Sequence, residues 1–225
     1  VYVAVDGDDA ATGFYPSAAK TLKGALTNPD LASGDTVLAC AGTYAPDDTM
    51  MQDGGTYIRS RAVVPANVTL ASKDGRDVTF IRGASATVED PEFTGHGLGV
   101  DAIRCVTLLS GARLKGFTLV DGRTRAVLGD EGDKDRHAGC ETTGGGVGAF
   151  KTARNACWVE DCVISNCAAY RGGGDMAVRA KNCIFRNNYA CYIGGGTSDT
   201  QVYGCLSAGN TVDGYAQSSI GFGYV

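Results

Sequence analysis

Four stretches of this chain line up on one another: LKGFTLVDG from Leu114, VEDCVISNC from Val159, AKNCIFRNN from Ala180 and VYGCLSAGN from Val202. Each has an apolar residue, a turn-forming Gly, Asp or Asn two places on, then Phe or Cys, a variable position, and Leu, Ile, Phe or Ser. That is the alternation of a short strand entered through a tight bend. Cys162, Cys183 and Cys205 are 21 and 22 residues apart, and Phe117 precedes Cys162 by 45, which is two such periods or one period with an insertion. A unit of this length has no room for a pair of helices, so it must stack on its neighbours to bury its apolar side. The period predicts an all-β chain folded as a parallel β-helix, a solenoid with about 22 residues per coil.

In such a stack, equivalent positions of successive coils lie about 4.8 Å apart. Phe117, Cys162, Cys183 and Cys205 are expected to form an interior column, and Asn166, Asn187 and Asn210 to occupy a bend, where asparagine tolerates a left-handed backbone and can bond along a ladder. The GGG triplets beginning at Gly144, Gly172 and Gly194 are expected to turn the chain where a Cβ would not fit. Composition agrees: 33 glycines and 10 tyrosines suit many short strands with tight turns better than a helical bundle.

Ahead of the regular units, GDTVLACAGTY, ANVTLASKDG, DVTFIRG and IRCVTLLSG read as earlier, less uniform coils. SAAKTLKGALTNPD is the best helix candidate. Ser17 is its expected N-cap, with Ala18, Leu22, Ala25 and Leu26 on one face, placed to cover the first coil. The expected organisation is one domain: 1–45 strand, cap helix and first coil; 46–120 irregular coils; 121–143 an inserted charged loop; 144–225 regular coils. The last residues, SSIGFGYV, contain no evident capping helix. The chain is therefore expected to be the N-terminal part of a longer protein, to self-associate at that end, or to fold its last residues over it.

Net charge is −5, with no basic footprint of the kind that binds nucleic acid, and no apolar run approaches the roughly 18 residues needed to cross a bilayer. Nine cysteines cannot all pair within one chain. The spacing of Cys157, Cys162, Cys167, Cys183, Cys191 and Cys205 contains no CxxC pair, so a structural zinc site has little support.

The order VYVAVDGDD, AAKTLKGAL, SGDTVLACAGTY resembles the opening of bacterial pectate-lyase-like right-handed β-helix proteins over roughly the first 45 residues. The later coils resemble the surface repeats of polymorphic outer-membrane proteins, whose units carry FxxN and GGA-type motifs. Here Phe185 to Asn188 reads FRNN and Gly194 to Thr197 reads GGGT, and the other units depart from both motifs. The resemblance implies right-handed coils and an extracellular or cell-surface location.

Polysaccharide lyases of this shape need a base beside the substrate carboxylate and calcium or arginine to neutralise it. The segment Asp121 to Glu141 breaks the repeat and is charge-dense. Lys134, Arg136 and His137 are its candidate catalytic groups, and Asp130, Asp133 and Asp135 its candidate calcium ligands. A solvated surface loop is the plainer interpretation of such a run, and the D-x-D-x-D-G pattern of an EF-hand is absent. TGHG around His96 resembles the Gly-His-Gly of polygalacturonases, without that family's companion motifs. Trp158 and Tyr170 are of a type that stacks on sugar rings, although a lone tryptophan beside a repeat strand is more often core or rim. No cofactor is otherwise called for.

The favoured function is a non-catalytic, secreted or surface-displayed β-helix that presents a rigid face to a glycan or a surface protein. The alternative is a polysaccharide lyase acting on an acidic glycan. A convergent set of basic and acidic residues at equivalent positions of adjacent coils would separate the two, and sequence reading alone does not find one.

Overall fold

The computed structural model describes residues 1–11, 13, 14, 17–45, 47–53, 56–126, 140–150, 153–213, 220 and 221. They form a right-handed parallel β-helix. A regular coil runs through four short strands, for example Trp158–Glu160, Val163–Ser165, Ala168–Arg171 and Asp175–Met176, before Arg179–Lys181 begins the next. Stacking the coils generates four sheets. The first runs from Tyr2–Val3 through Thr36–Ala39, Thr69–Ser72, Arg113–Lys115, Trp158–Glu160 and Arg179–Lys181 to Gln201–Tyr203. The second runs from Gly42–Tyr44 to Leu206–Ala208, and the short third joins Ala168–Arg171, Tyr189–Ile193 and Thr211–Val212. The fourth includes Thr56–Val64, Arg104–Leu108, Val147–Ala149, Asp175–Met176 and Thr197–Ser198. All strand pairs are parallel except Thr49–Asp53 with Thr56–Val64.

Register explains the apolar pattern. Along the first sheet, Val37, Leu70, Leu114, Val159, Ala180 and Val202 are paired in turn and all buried. Along the second, Ile81, Leu119, Ile164 and Phe185 do the same. Full burial of each Leu, Ile or Phe contributes roughly 1.5–3 kcal/mol, so these columns are the main source of stability.

Phe117, Cys162, Cys183 and Cys205 immediately precede the paired residues Thr118, Val163, Ile184 and Leu206, and so form one column; the first three are fully buried and Cys205 packs against the core from a partly exposed position. The eight described cysteines with placed side chains are all free thiols.

The asparagines fall into two columns. Asn166 and Asn187 are left-handed at φ 50° and 54°, with Asp121 (φ 60°) before them and Gly209 (φ 63°) after. Asn210 lies one residue further along and belongs with Cys167 and Asn188, which corrects the expected grouping of Asn166, Asn187 and Asn210. Glycine takes the left-handed site in the last coil because it has no Cβ to strain. The second column is the hydrogen-bonded one. Asn188 Oδ1 accepts from Cys167 N at 2.9 Å and its Nδ2 donates to Ile164 O at 2.9 Å, while Asn210 repeats both bonds one coil on, to Asn188 N and Phe185 O.

The cap helix is shorter than expected. It spans Leu22–Leu26, and its N-cap is Thr21, not Ser17: the Thr21 hydroxyl accepts from Gly24 N at 2.9 Å. Two competing demands stop it from starting earlier. Ala19 bridges Val3 in parallel, and the Asp9 carboxylate accepts from Lys20 N, Thr21 N and the Thr21 hydroxyl at 2.7–2.8 Å. Leu22, Ala25 and Leu26 are buried against the first coil, as a cap requires.

Candidate functional site

The outward positions of the first sheet flank its buried column. Reading across adjacent coils, one outward column is Arg113, Trp158, Arg179 and Gln201, and the other is Lys115, Glu160, Lys181 and Tyr203. Four cations and one carboxylate therefore share one flat face of a chain whose net charge is −5. Alternation along each strand puts all eight side chains on the solvent side, because their intervening neighbours are the core column.

The aromatic residues on this face are held by their neighbours. Trp158 is half-buried and stacks with Tyr203 at 5.9 Å between ring centres, planes 29° apart, and the Arg179 guanidinium lies 5.5 Å from the Trp158 ring centre. Arg113 pairs with Glu160 at 3.5 Å and Lys115 with Asp161 at 3.8 Å. Arg179 and Lys181 have no ion pair among the described residues, so two cations remain for an external anion. These columns are cations and rings with a single, already paired carboxylate, a set suited to binding an anion, and only the register of the coils brings them together.

A second concentration of charge lies where the repeat is interrupted. Residues 83–103 leave the solenoid between Thr79–Arg82 and Arg104–Leu108, and are pinned at their base by an antiparallel bridge between Ala84 and Ile103. The charged segment predicted at 121–143 departs after Thr118–Val120 and is described at 121–126 and 140–143. At its root Arg123, Arg125 and Glu141 face Arg59, Arg104, Tyr57 and Val100 across a narrow crevice. Arg104 is 1% exposed, with Nη1 donating to Thr107 Oγ1 at 3.2 Å and Nη2 to Thr143 O. Arg59 Nε is 2.9 Å from Asp48. Glu141 is buried and its Oε2 accepts no hydrogen bond among the described residues. Lys134, Arg136, His137, Asp130, Asp133 and Asp135 all lie outside the described residues. No group of three or more His, Cys, Asp or Glu suited to a metal occurs among the described residues.

His96 sits in the 83–103 excursion with its ring parallel to Tyr189, 3.6 Å between centres and 3° between planes. The Tyr189 hydroxyl donates to Asp213 at 2.6 Å, and burial followed by that carboxylate pushes its acidity down, raising its pKa. Tyr170 is on the third sheet, close to this excursion, and Trp158 is on the first, so the two sugar-stacking candidates stand on different faces.

No family model matches this sequence, and no curated protein matches it. Among solved structures it is similar to pectin methylesterase from Erwinia chrysanthemi, with a TM-score of 0.50 and 11% identity over 90% of this chain and 54% of that one. A rhamnogalacturonan lyase gives 0.48 and 14% over 100% of this chain and 62% of that one, and a pectin methylesterase solved in complex with a hexasaccharide gives 0.44 and 11% over 90% and 65%. The chain thus spans about half the length of the first of these proteins. At such identities the likeness is one of fold. No helix of the described residues is long and apolar enough to cross a membrane.

Proposed function

We propose that this protein is an extracellular or surface-displayed glycan-binding β-helix that holds an acidic polysaccharide along the outer face of its first sheet without cleaving it. The observation that carries this reading is the pair of outward columns, Arg113, Trp158, Arg179, Gln201 and Lys115, Glu160, Lys181, Tyr203. Adjacent coils present cations and aromatic rings at a spacing of about 4.8 Å, so a polymer lying along the solenoid axis meets a carboxylate partner or a ring at each coil. The similarity of fold to a pectin methylesterase is compatible with a carbohydrate partner.

Affinity electrophoresis in gels containing polygalacturonate tests it. Retardation of the wild type, with several-fold weaker retention for Arg179→Gln/Lys181→Gln and for Trp158→Ala, is the expected result. Equal retention of all three proteins would remove the first sheet from the function.

The arginine-lined crevice favours one alternative, a polysaccharide lyase. Arg59, Arg123 and Arg125 near Glu141, with Arg104 buried behind them, provide the positive charge that a uronate carboxylate needs. In that reading Lys134, Arg136 or His137 supplies the base, and Asp130, Asp133 and Asp135 hold calcium. Incubation with acidic polysaccharides, with and without calcium, would then yield unsaturated, ultraviolet-absorbing products, and Lys134→Ala or Arg136→Ala would abolish them.

A further inference from the structure

The third sheet presents a second outward surface of different chemistry. Tyr170 and Tyr192, from adjacent coils, have ring planes 1° apart and centres 5.6 Å apart. Phe93, from the 83–103 excursion, meets Tyr170 edge-on at 5.8 Å, and the Arg171 guanidinium lies 5.0 Å from the Tyr192 ring centre. The base of this ladder is locked in place. Leu98 is fully buried among Ala126, Ala168 and Cys191, with Phe93, Tyr170 and Tyr189 packed around them, and His96 rests on Tyr189. Tyr192 is thereby oriented while staying 37% exposed. An aromatic ring fixed before a ligand arrives loses little further freedom on binding it.

The charge here is mixed, with Arg171 on the Tyr192 ring and Arg125 beside the cavity standing among carboxylates. Asp213 accepts from Tyr189, and Glu89 accepts from the amides of Gly95 and Gly97 in the excursion. Glu89 and Asp90 line a cavity of about 280 Å³ with Val88, Pro91, Val100 and Arg125. Mixed charge favours neither a polyanion nor a polycation, whereas the carboxylates accept hydrogen bonds from hydroxyls and the guanidinium groups donate to them. A neutral pyranose matches both features, with its C–H face on the tyrosine ring and its hydroxyl edge toward the acids.

We propose that the third sheet and the 83–103 excursion form a binding surface for a neutral pyranose oligosaccharide, with Tyr192 as the stacking residue and Tyr170 and Phe93 as its support. This surface is separate from the first sheet, and neither needs the other.

Titration calorimetry with cellohexaose and mannohexaose tests it on the full chain. Saturable binding of at least one neutral hexaose is expected, weakened about tenfold in Tyr192→Ala, as loss of a stacked ring predicts. The Tyr192→Phe variant should bind nearly as well as wild type, and Arg179→Gln/Lys181→Gln should leave the affinity unchanged. Absence of binding to both hexaoses at millimolar concentration, or equal binding by Tyr192→Ala, overturns the proposal. Polygalacturonate retention, measured on the same variants, reports separately on the first sheet: its failure alongside Tyr192-dependent hexaose binding would sink that reading and leave this one standing.

Discussion

Asp175 stands in a column of the fourth sheet with Ala62, Val106, Val147 and Thr197, all fully buried. The Thr200 hydroxyl donates to its Oδ1 at 2.9 Å, but its Oδ2 and the neighbouring Thr197 hydroxyl make no hydrogen bond among the described residues. Burial, only partly offset by the Thr200 bond, drives its pKa well above the ordinary carboxylate value. The unfolded chain releases this proton first, near pH 4. The neutral carboxyl therefore contributes its full stability below that pH, and the contribution falls as pH rises toward the folded value. Asp175→Asn keeps an acceptor for Thr200 and has no charge to bury. Urea denaturation should find it about 1–3 kcal/mol more stable than wild type at pH 7, with the advantage gone at pH 3. An equal difference at both pH values would mean that the wild-type carboxyl is not buried neutral.

The same residue scale shows why one column was readable and another was not. Cys162, Cys183 and Cys205 repeat because an interior site under a strand start accepts an apolar group in each of these coils, Phe117 filling it in the coil before. The left-handed bend does not repeat in letters, since Asn166, Asn187 and Gly209 satisfy it equally well, while Asn210 repeats the letter in the neighbouring inner column. The inner asparagines carry more of the energy. Asn188 bonds Cys167 N and Ile164 O where no water reaches. Asn188→Ala leaves both unpaired and should cost about 2–4 kcal/mol, whereas Asn187→Gly, at an exposed positive-φ site, should change stability by less than about 1 kcal/mol. Thermal unfolding of the pair checks the contrast.

At the scale of elements, what the repeat could not reveal is where competing local bonds override propensity. The helix was expected from Ser17 because the apolar spacing begins there. Asp9, twelve residues before Thr21, fixes the start instead, and such a distant partner leaves no periodic trace. Thr21→Ala should cost about 1 kcal/mol and selectively speed hydrogen exchange at Gly24, Ala25 and Leu26, while the solenoid strands keep their protection. The glycine triplets are tighter. A Cβ on Gly173 would sit 2.1 Å from Tyr189 O and 2.6 Å from Gly195 O, both backbone atoms that cannot yield without moving a coil. Gly173→Ala should therefore destabilise by at least ~2 kcal/mol, or fail to give soluble protein, although alanine is the smallest replacement available. The outer face, by contrast, was within reach. Lys115, Glu160, Lys181 and Tyr203 each directly follow the aligned apolar residues Leu114, Val159, Ala180 and Val202, but their varied chemistry hides a shared position until register is known.

On the scale of the whole molecule, the two outward surfaces differ in charge: cations dominate the first sheet, whereas Arg171 and Arg125 mix with Glu89, Asp90 and Asp213 around the third. With a net charge of −5 the chain as a whole repels a polyanion, so any attraction must come from the local field of Arg113, Lys115, Arg179 and Lys181. Two of these are already drawn to Glu160 and Asp161. The attraction acts over a distance set by salt, about 10 Å at 0.1 M and about 3 Å at 1 M. At 1 M each exposed cation is felt only by a group nearly touching it, while the general repulsion from the rest of the chain is screened as well. Retention on polygalacturonate should thus fall steeply as sodium chloride rises from 0.05 to about 0.5 M, and then level off at a residue carried by stacking on Trp158 and Tyr203. Removing one unpaired cation in Lys181→Gln should flatten the steep part and leave the plateau. Trp158→Ala should lower the plateau and leave the slope. Retention that rose with salt would instead assign binding to apolar contact alone, and the columns of cations on the first sheet would then have no part in it.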